Sequence, residues 1–122
     1  MNTKQIQEVH YIVLFPLIFS TLYRTIIYMK WALRKLAGYL HWVNGLKLKE
    51  LGQVEARLMR ITEEGHFGGV RDLGDGLWEL KFNNGNRIYY TRTGKYELTL
   101  ILGGNKNGQD RDIKKAKSLL YE

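Results

Sequence analysis

The stretch Leu77–Gly104, LWELKFNNGNRIYYTRTGKYELTLILGG, constrains this chain more than any other. Its β-branched, aromatic and apolar residues fall into three runs, separated by the turn-forming pairs Asn84-Gly85 and Thr93-Gly94. It therefore reads as three antiparallel strands joined by tight turns. Trp78, Leu80 and Phe82 alternate with Glu79 and Lys81 in the first run, and Ile88 and Tyr90 with Arg87, Tyr89 and Thr91 in the second. Opposed residues share a face, so loop length decides which set meets which. A two-residue loop sets Arg87 opposite Phe82, mixing charge with core. A three-residue loop, Asn84-Gly85-Asn86, pairs Phe82 with Ile88, Leu80 with Tyr90 and Lys81 with Tyr89, and its single apolar face makes it the expected register. The other face then gathers Glu79, Lys81, Arg87 and Tyr89. A carboxylate, two cations and a phenol on a rigid sheet suit phosphate chemistry; they equally suit a solvated face with cross-strand charge pairs.

The third run, Glu97–Leu102, is almost wholly apolar, as expected of a strand covered on both faces. Before these runs, Trp31–Lys35 alternates Trp31, Leu33 and Lys35 against Ala32 and Arg34, which predicts a short first strand. Tyr39–Asn44 has helical spacing with Leu40 and Val43 inside, and Tyr39 and Trp42 are placed in the core. A longer helix starts near Lys47, with Leu48, Leu51, Val54, Leu58 and Ile61 as its buried stripe. Lys49, Gln53, Arg57, Arg60 and Glu64 lie off that stripe, and Gly65 ends the helix. Residues 65–76, GHFGGVRDLGDG, read as a glycine-rich connector holding His66 and Arg71. Gln109–Tyr121 is a basic amphipathic helix, preceded by a Gly103-Gly104 pair and Lys106.

Residues 1–28 differ in character. Their core, YIVLFPLIFSTLY, is apolar but shorter than the roughly 20 residues a membrane span needs, and it contains Pro16 and runs into Arg24. They are expected to be an apolar extension or sequence upstream of a natural start at Met29, with the folded domain at 29–122. With 19 Lys+Arg against 12 Asp+Glu the chain carries a formal +7 and a pI near 9.7. Residues 29–122 keep +6 of this, so the basicity belongs to the domain and points to a polyanionic partner. The absence of cysteine excludes disulfides and thiol catalysis. His10, His41 and His66 lack metal-ligand spacing, so no metal and no cofactor are expected.

The strings YLHWVNGLKLKELGQVEARLMRI, GHFGGVRDLGDGLWELKF, NRIYYTR and LILGGNKNGQDRDIKKAKSLL occur in this order. Together they resemble the RelE/ParE superfamily of bacterial toxins, in its HigB-like branch of phage-derived addiction-module killer proteins, over roughly Met29–Tyr121. The resemblance implies an α+β fold: an N-terminal strand and helical hairpin packed on a small antiparallel meander, with a basic C-terminal helix. It implies a cytoplasmic toxin of a type II toxin–antitoxin module, acting as a metal-independent, ribosome-dependent mRNA endoribonuclease through attack of the 2′-hydroxyl. It places Glu79 where relatives have a lysine or glutamate base, Lys81 at a second basic position on the same strand, and Arg87 at the arginine contacting the scissile phosphate. Lys106 falls where RelE has an arginine after the strand-ending glycine. His66, Arg71, Tyr89, Arg92 and Arg60 are secondary RNA-binding candidates. The general acid is open between His66, Lys106 and Arg87. The family's stacking tyrosine is matched here by Asp112, leaving Tyr89, Tyr90 or Tyr121 to take its place. The implied partners are mRNA on the ribosome and a cognate helix-turn-helix antitoxin, with promoter DNA reached only through the antitoxin complex.

Two other readings compete: a non-catalytic ParE-like poison of DNA gyrase, or an inactive relic that only binds. Stable membrane anchoring through residues 1–28 is not expected. The full chain and a chain beginning at Met29 should both stay in the supernatant when membranes are pelleted, and a full chain that pellets alone would reverse that expectation.

Overall fold

The computed structural model describes residues 31–120. The extension at 1–28, the start at Met29 and the stacking candidate Tyr121 lie outside the described residues. In chain order come β1 (Ala32–Lys35), α1 (Ala37–Asn44), α2 (Leu48–Glu64), β2 (Val70–Gly74), β3 (Leu77–Lys81), β4 (Asn86–Gly94) and β5 (Glu97–Asn105). A 3-10 turn (Lys106–Gly108) and α3 (Gln109–Leu119) follow. The fold is α+β, as the sequence implied. The strands form one sheet in the order β1-β5-β4-β3-β2, antiparallel except where β1 joins β5 in parallel. That parallel pair requires a crossover, which the α1–α2 hairpin begins.

The sheet lies between two helical layers. On one face α1 and α2 close over Leu33, Tyr39, Val43, Val54, Leu58, Ile61, Leu80, Ile88, Tyr90, Leu98 and Leu100. On the other, α3 covers Leu77, Tyr89, Ile101 and Leu102 through Ala116. α2 ends at Gly65, whose φ of 70° is left-handed, and the Gly65 and His66 N–H groups donate to the Ile61 and Arg60 carbonyls. Among the described residues no helix is long and apolar enough to cross a membrane.

The structure corrects the sequence reading at several points. The connector at 65–76 contains a strand, β2, paired with β3 as a sheet edge. Its hairpin turn is Asp75-Gly76, with φ of 58° and 82°, the backbone of a type I′ turn. The second meander turn falls at Lys95-Tyr96, because Gly94 still pairs with Glu97. The first hairpin has a three-residue loop, Asn83-Asn84-Gly85, closed by the Phe82 N–H donating to the Asn86 carbonyl. Leu80 therefore opposes Ile88 and Lys81 opposes Arg87, two residues away from the expected pairing. A shift of two preserves which residues share a face, so the faces stand although the partners change. At the helices, Leu48 is 85% and Leu40 41% exposed, so neither belongs to the core. Leu48 is the first residue of its helix and extends past the sheet. Gln53 and Arg57 are not simply solvated. With Glu50 they are spaced three and four apart on one face of α2 and grip the hairpin. Glu50 accepts from Asn86 Nδ2 (3.0 Å) and Gln53 from Asn84 Nδ2 (3.0 Å), while Arg57 donates to the Phe67, Gly69 and Lys81 carbonyls.

One irregularity positions the C-terminal layer. Tyr89 pairs with Leu102 but Tyr90 with Leu100, so β5 carries one extra residue, a bulge at Ile101. Beyond it the alternation inverts. Leu102 and Gly104 turn toward α3, and Gly103 turns toward α1, where the Trp42 ring lies directly on it. A Cβ at Gly103 would fall 2.0 Å from that ring. Gly103→Ala should therefore lower stability by about 1–3 kcal/mol through overpacking, read by denaturant or thermal unfolding against the parent chain.

Candidate functional site

On the α3 face of the sheet one row of paired residues crosses four strands. Arg71 of β2 opposes Glu79 of β3, Glu79 opposes Tyr89 of β4, and Tyr89 opposes Leu102 of β5. The next row runs from Lys81 to Arg87 to Gly104. α3 shields part of this face, and its first residue, Gln109, reaches down into the polar cluster.

Glu79 is the centre of the cluster and is fully buried. Gln109 Nε2 donates to its Oε2 at 2.7 Å, and its Oε1 lies 3.4 Å from Arg71 Nε and 3.9 Å from Arg87 Nε. An unpaired carboxylate in such a place is strongly disfavoured; here two guanidinium groups offset the charge of Glu79, and Gln109 bonds its Oε2, while Oε1 and Arg87 Nε make no hydrogen bond. The adjacent N-terminal end of α3 also favours negative charge. Arg87 is nearly buried, and its Nη1 donates to the Phe82 and Asn86 carbonyls of the hairpin loop at 3.2 and 2.9 Å. Its guanidinium is thus tied at one side to the loop and faces the Glu79 carboxylate at the other. Arg71 is half exposed.

Lys81 and Lys106 are exposed, as Arg71 is. Lys81 stands beside Arg87 in the register, a separation of roughly 5 Å between Cα atoms. Lys106 is brought in by the 3-10 turn: its N–H donates to the Gly85 carbonyl at 2.8 Å. Its aliphatic stem packs over Gly85, which at φ 99° has no side chain in the way. The register and the turn thus bring Glu79, Lys81, Arg87, Lys106 and Arg71 to one end of one face.

The remaining sequence candidates are placed elsewhere or buried. Tyr89 is fully buried under α3, so its ring offers no free face for a base. Burial, reinforced by the Glu79 and Asp112 carboxylates, pushes its phenol well above the usual range. Tyr90 lies on the opposite face, where burial pushes its phenol up to about 12. Neither ring is available for the stacking role. His66 is exposed at the end of α2, and the next residue, Phe67, packs on Trp31 and Tyr90 on the helical-hairpin face. That location does not favour His66 as the general acid. Arg92 stacks on Trp31 at 4.6 Å, five residues along β4 from Arg87, roughly 16 Å away. Arg60 lies on α2, outside the cluster.

Sequence reasoning gave no role to Gln109 or Arg57 and placed Asp112 only as the match of the family's stacking tyrosine. Asp112 packs against Gly104, filling the space a Cβ there would take, and is partly buried beside Tyr89. Gly104 and the i, i+3 spacing from Gln109 to Asp112 were visible in the sequence, but the bulge that turns Gly104 toward α3 was not. Among the described residues no group of three or more His, Cys, Asp or Glu side chains converges. The cluster gathers four cations about the buried Glu79, with the partly buried Asp112 as a second carboxylate on the same face.

No family model matches the chain. A protein of Haemophilus influenzae described as uncharacterized is 36% identical over 84 residues, covering 66% of this chain and 84% of that protein, and this chain belongs to the same family. Among solved structures, a double arginine-to-alanine mutant of the E. coli toxin RelE in the free state superposes with a TM-score of 0.59 at 16% identity. That match covers 74% of this chain and 96% of RelE. The isolated E. coli RelE toxin in a second crystal form gives 0.53 at 16% identity, over 70% and 97%. The fold is RelE-like.

Burial raises the Asp112 carboxyl above its ordinary range, although Arg111 and Lys115 oppose the shift. The folded chain then binds the Asp112 proton more tightly than the unfolded chain does, so this group costs stability as pH rises through the carboxylate range. Asp112→Asn should be more stable than the parent at neutral pH, and the gain should vanish below the carboxylate range. Urea midpoints of both chains from pH 3 to pH 8 check this.

Proposed function

We propose that this RelE-fold chain is the toxin of a type II toxin–antitoxin module and cleaves mRNA on the ribosome without a metal. The observation that supports the reading is the gathering of Arg71, Lys81, Arg87 and Lys106 at the end of the sheet face that holds the buried Glu79, where Asp112 is the other carboxylate. A structural charge pair needs one cation for one carboxylate; four cations on one face leave an excess of positive charge for a phosphate.

In the reaction, the 2′-oxygen attacks the adjacent phosphorus as the bond from phosphorus to the 5′-oxygen breaks. The products are a 2′,3′-cyclic phosphate and a 5′-hydroxyl. Arg87 and Arg71 balance the charge that develops on the phosphorane oxygens. Glu79, expected from the resemblance to be the base, is enclosed by Arg71, Arg87 and Gln109, and its burial suits a positioning residue that draws both guanidinium groups toward one point. Lys81, exposed and adjacent to Arg87, holds the scissile phosphate as a cation, and the 2′-proton passes to bulk water. Lys106, across the hairpin loop, donates the proton that the leaving 5′-oxygen takes up. The exposed basic face also suits an acidic segment of a cognate antitoxin, whose binding would cover it. The HigB-like branch, the helix-turn-helix antitoxin and promoter binding through the complex complete this proposal.

Primer extension on a defined mRNA in a purified translation system tests it. Cuts inside translated codons are expected only when ribosomes are present. Lys81→Ala, at an exposed site, should reduce cutting on the order of 10²-fold or more without changing the melting temperature. Intact mRNA from a folded chain would turn the assignment to the gyrase-poison or relic reading, and a supercoiling assay separates those two.

A further inference from the structure

A second basic feature lies around the corner from the cation cluster. Between α2, the loop before β2 and the β3–β4 hairpin there is an open groove of about 730 Å³, whose lining includes Gln53, Arg57, Arg60, Lys81, Asn83 and Asn84. That volume is within the roughly 300–1,000 Å³ of sites that hold small organic groups. Among the described residues its lining contains three cations and no carboxylate.

Side-chain bonds tie the groove walls together. Arg57 donates to the Phe67 carbonyl from Nε and Nη2 at 3.1 and 2.9 Å and to the Gly69 carbonyl at 2.7 Å, and its guanidinium lies 4.8 Å over the Phe82 ring. These bonds use Arg57 to hold the walls together, and Lys81 borders the groove through its backbone carbonyl and N–H, so the cation presented to a ligand is the exposed Arg60. Asn84 is held on both sides: its Oδ1 accepts from the Asn86 N–H at 3.0 Å, and its Nδ2 donates to Gln53 Oε1 at 3.0 Å. The Gln53–Asn84 pair is thereby an ordered amide edge on the groove wall.

Lys81 connects the groove to the cluster. By register its side chain shares the α3 face with Arg87, while its backbone, bonded to Arg57 and Gly69, borders the groove. A strand whose phosphate sits on Lys81 and Arg87 can continue into the groove over the sheet edge.

We propose that this groove is a single-stranded RNA subsite that holds the nucleotides next to the scissile phosphate. Arg60 contacts a backbone phosphate, and the Gln53–Asn84 amide pair hydrogen-bonds one base edge, so Gln53 contributes to sequence preference. The inference rests on the RNA-cleaving reading above for its substrate class, and its test reads binding rather than cleavage.

The test is fluorescence anisotropy of the full chain with labelled oligo-rA, oligo-rC and oligo-rU of equal length, titrated at several salt concentrations. The unsubstituted chain should bind the three with different affinities. Arg60→Ala should weaken all three by a similar factor, roughly three- to tenfold, and reduce the slope of log affinity against log salt by about 0.7. Arg60→Lys should retain the slope. Gln53→Ala, a change on an exposed helix face, should leave the slope alone and reduce the differences among the three oligomers. The proposal is overturned if Arg60→Ala keeps the parental affinity and slope, if the three oligomers bind alike or not at all, or if Gln53→Ala leaves the preference unchanged. A chain that binds as expected yet never cuts mRNA removes the nuclease reading and keeps the groove. A chain that cuts mRNA while Arg60→Ala binds unaltered does the reverse.

Discussion

The carboxylate of Glu79 sits out of water with Arg71, Arg87 and Gln109 around it, and four elements meet there. Strand β3 supplies the anion, β2 and β4 the two guanidinium groups, and α3 the amide. A buried carboxylate costs several kcal/mol in desolvation, and only correct placement of all its partners offsets that cost. The edge strand β2, its register on β3 and the seating of α3 are thus coupled through one charged group. The same interaction gives the site its chemical character. It draws two guanidinium groups toward one point, Arg87 being tied there by the Phe82 and Asn86 carbonyls, without exposing the carboxylate that would repel a phosphate.

A second constraint works at the other end of the α3 layer. The extra residue at Ile101 reverses the alternation of β5, so one apolar strand serves two different layers. Leu98 and Leu100 belong to the helical-hairpin core, whereas Ile101 and Leu102 belong to the core beneath α3. Glycines at 103 and 104 follow from the same reversal: Trp42 occupies the space on one side and Asp112 on the other. Close packing on both faces sets the height at which α3 begins, and hence the reach of Gln109 to Glu79.

The RelE-like fold by itself does not specify an activity, because folds carry unrelated functions. The functional reading therefore rests on the content of the site: four cations, two of them exposed lysines, about the shielded Glu79 and the partly buried Asp112. The family shared with the H. influenzae protein extends that question to a relative whose own site can be compared residue by residue.

Much of the architecture was legible in the chain, because it rests on local rules. Period-two alternation gave the faces of β3 and β4, the three-and-four spacing of Leu51, Val54, Leu58 and Ile61 gave the buried stripe of α2, and Gly65 gave its end. The face shared by Glu79, Lys81 and Arg87 was also legible, since a register error of two residues leaves parity intact. Strand β2 was missed among its glycines, although Asp75-Gly76 is a hairpin signal, because an exposed edge strand has no apolar alternation to announce it. Tertiary structure alone decided the rest. Pairing in three dimensions put Arg71 opposite Glu79, a single bulge turned Leu102 and Gly104 toward α3, and that helix buried Glu79 and Tyr89. Burial depends on which elements cover a face, and no local pattern in β3 or β4 records that a distant helix will do so. Sequence determined which residues share the site's face, and packing decided which of them meet solvent.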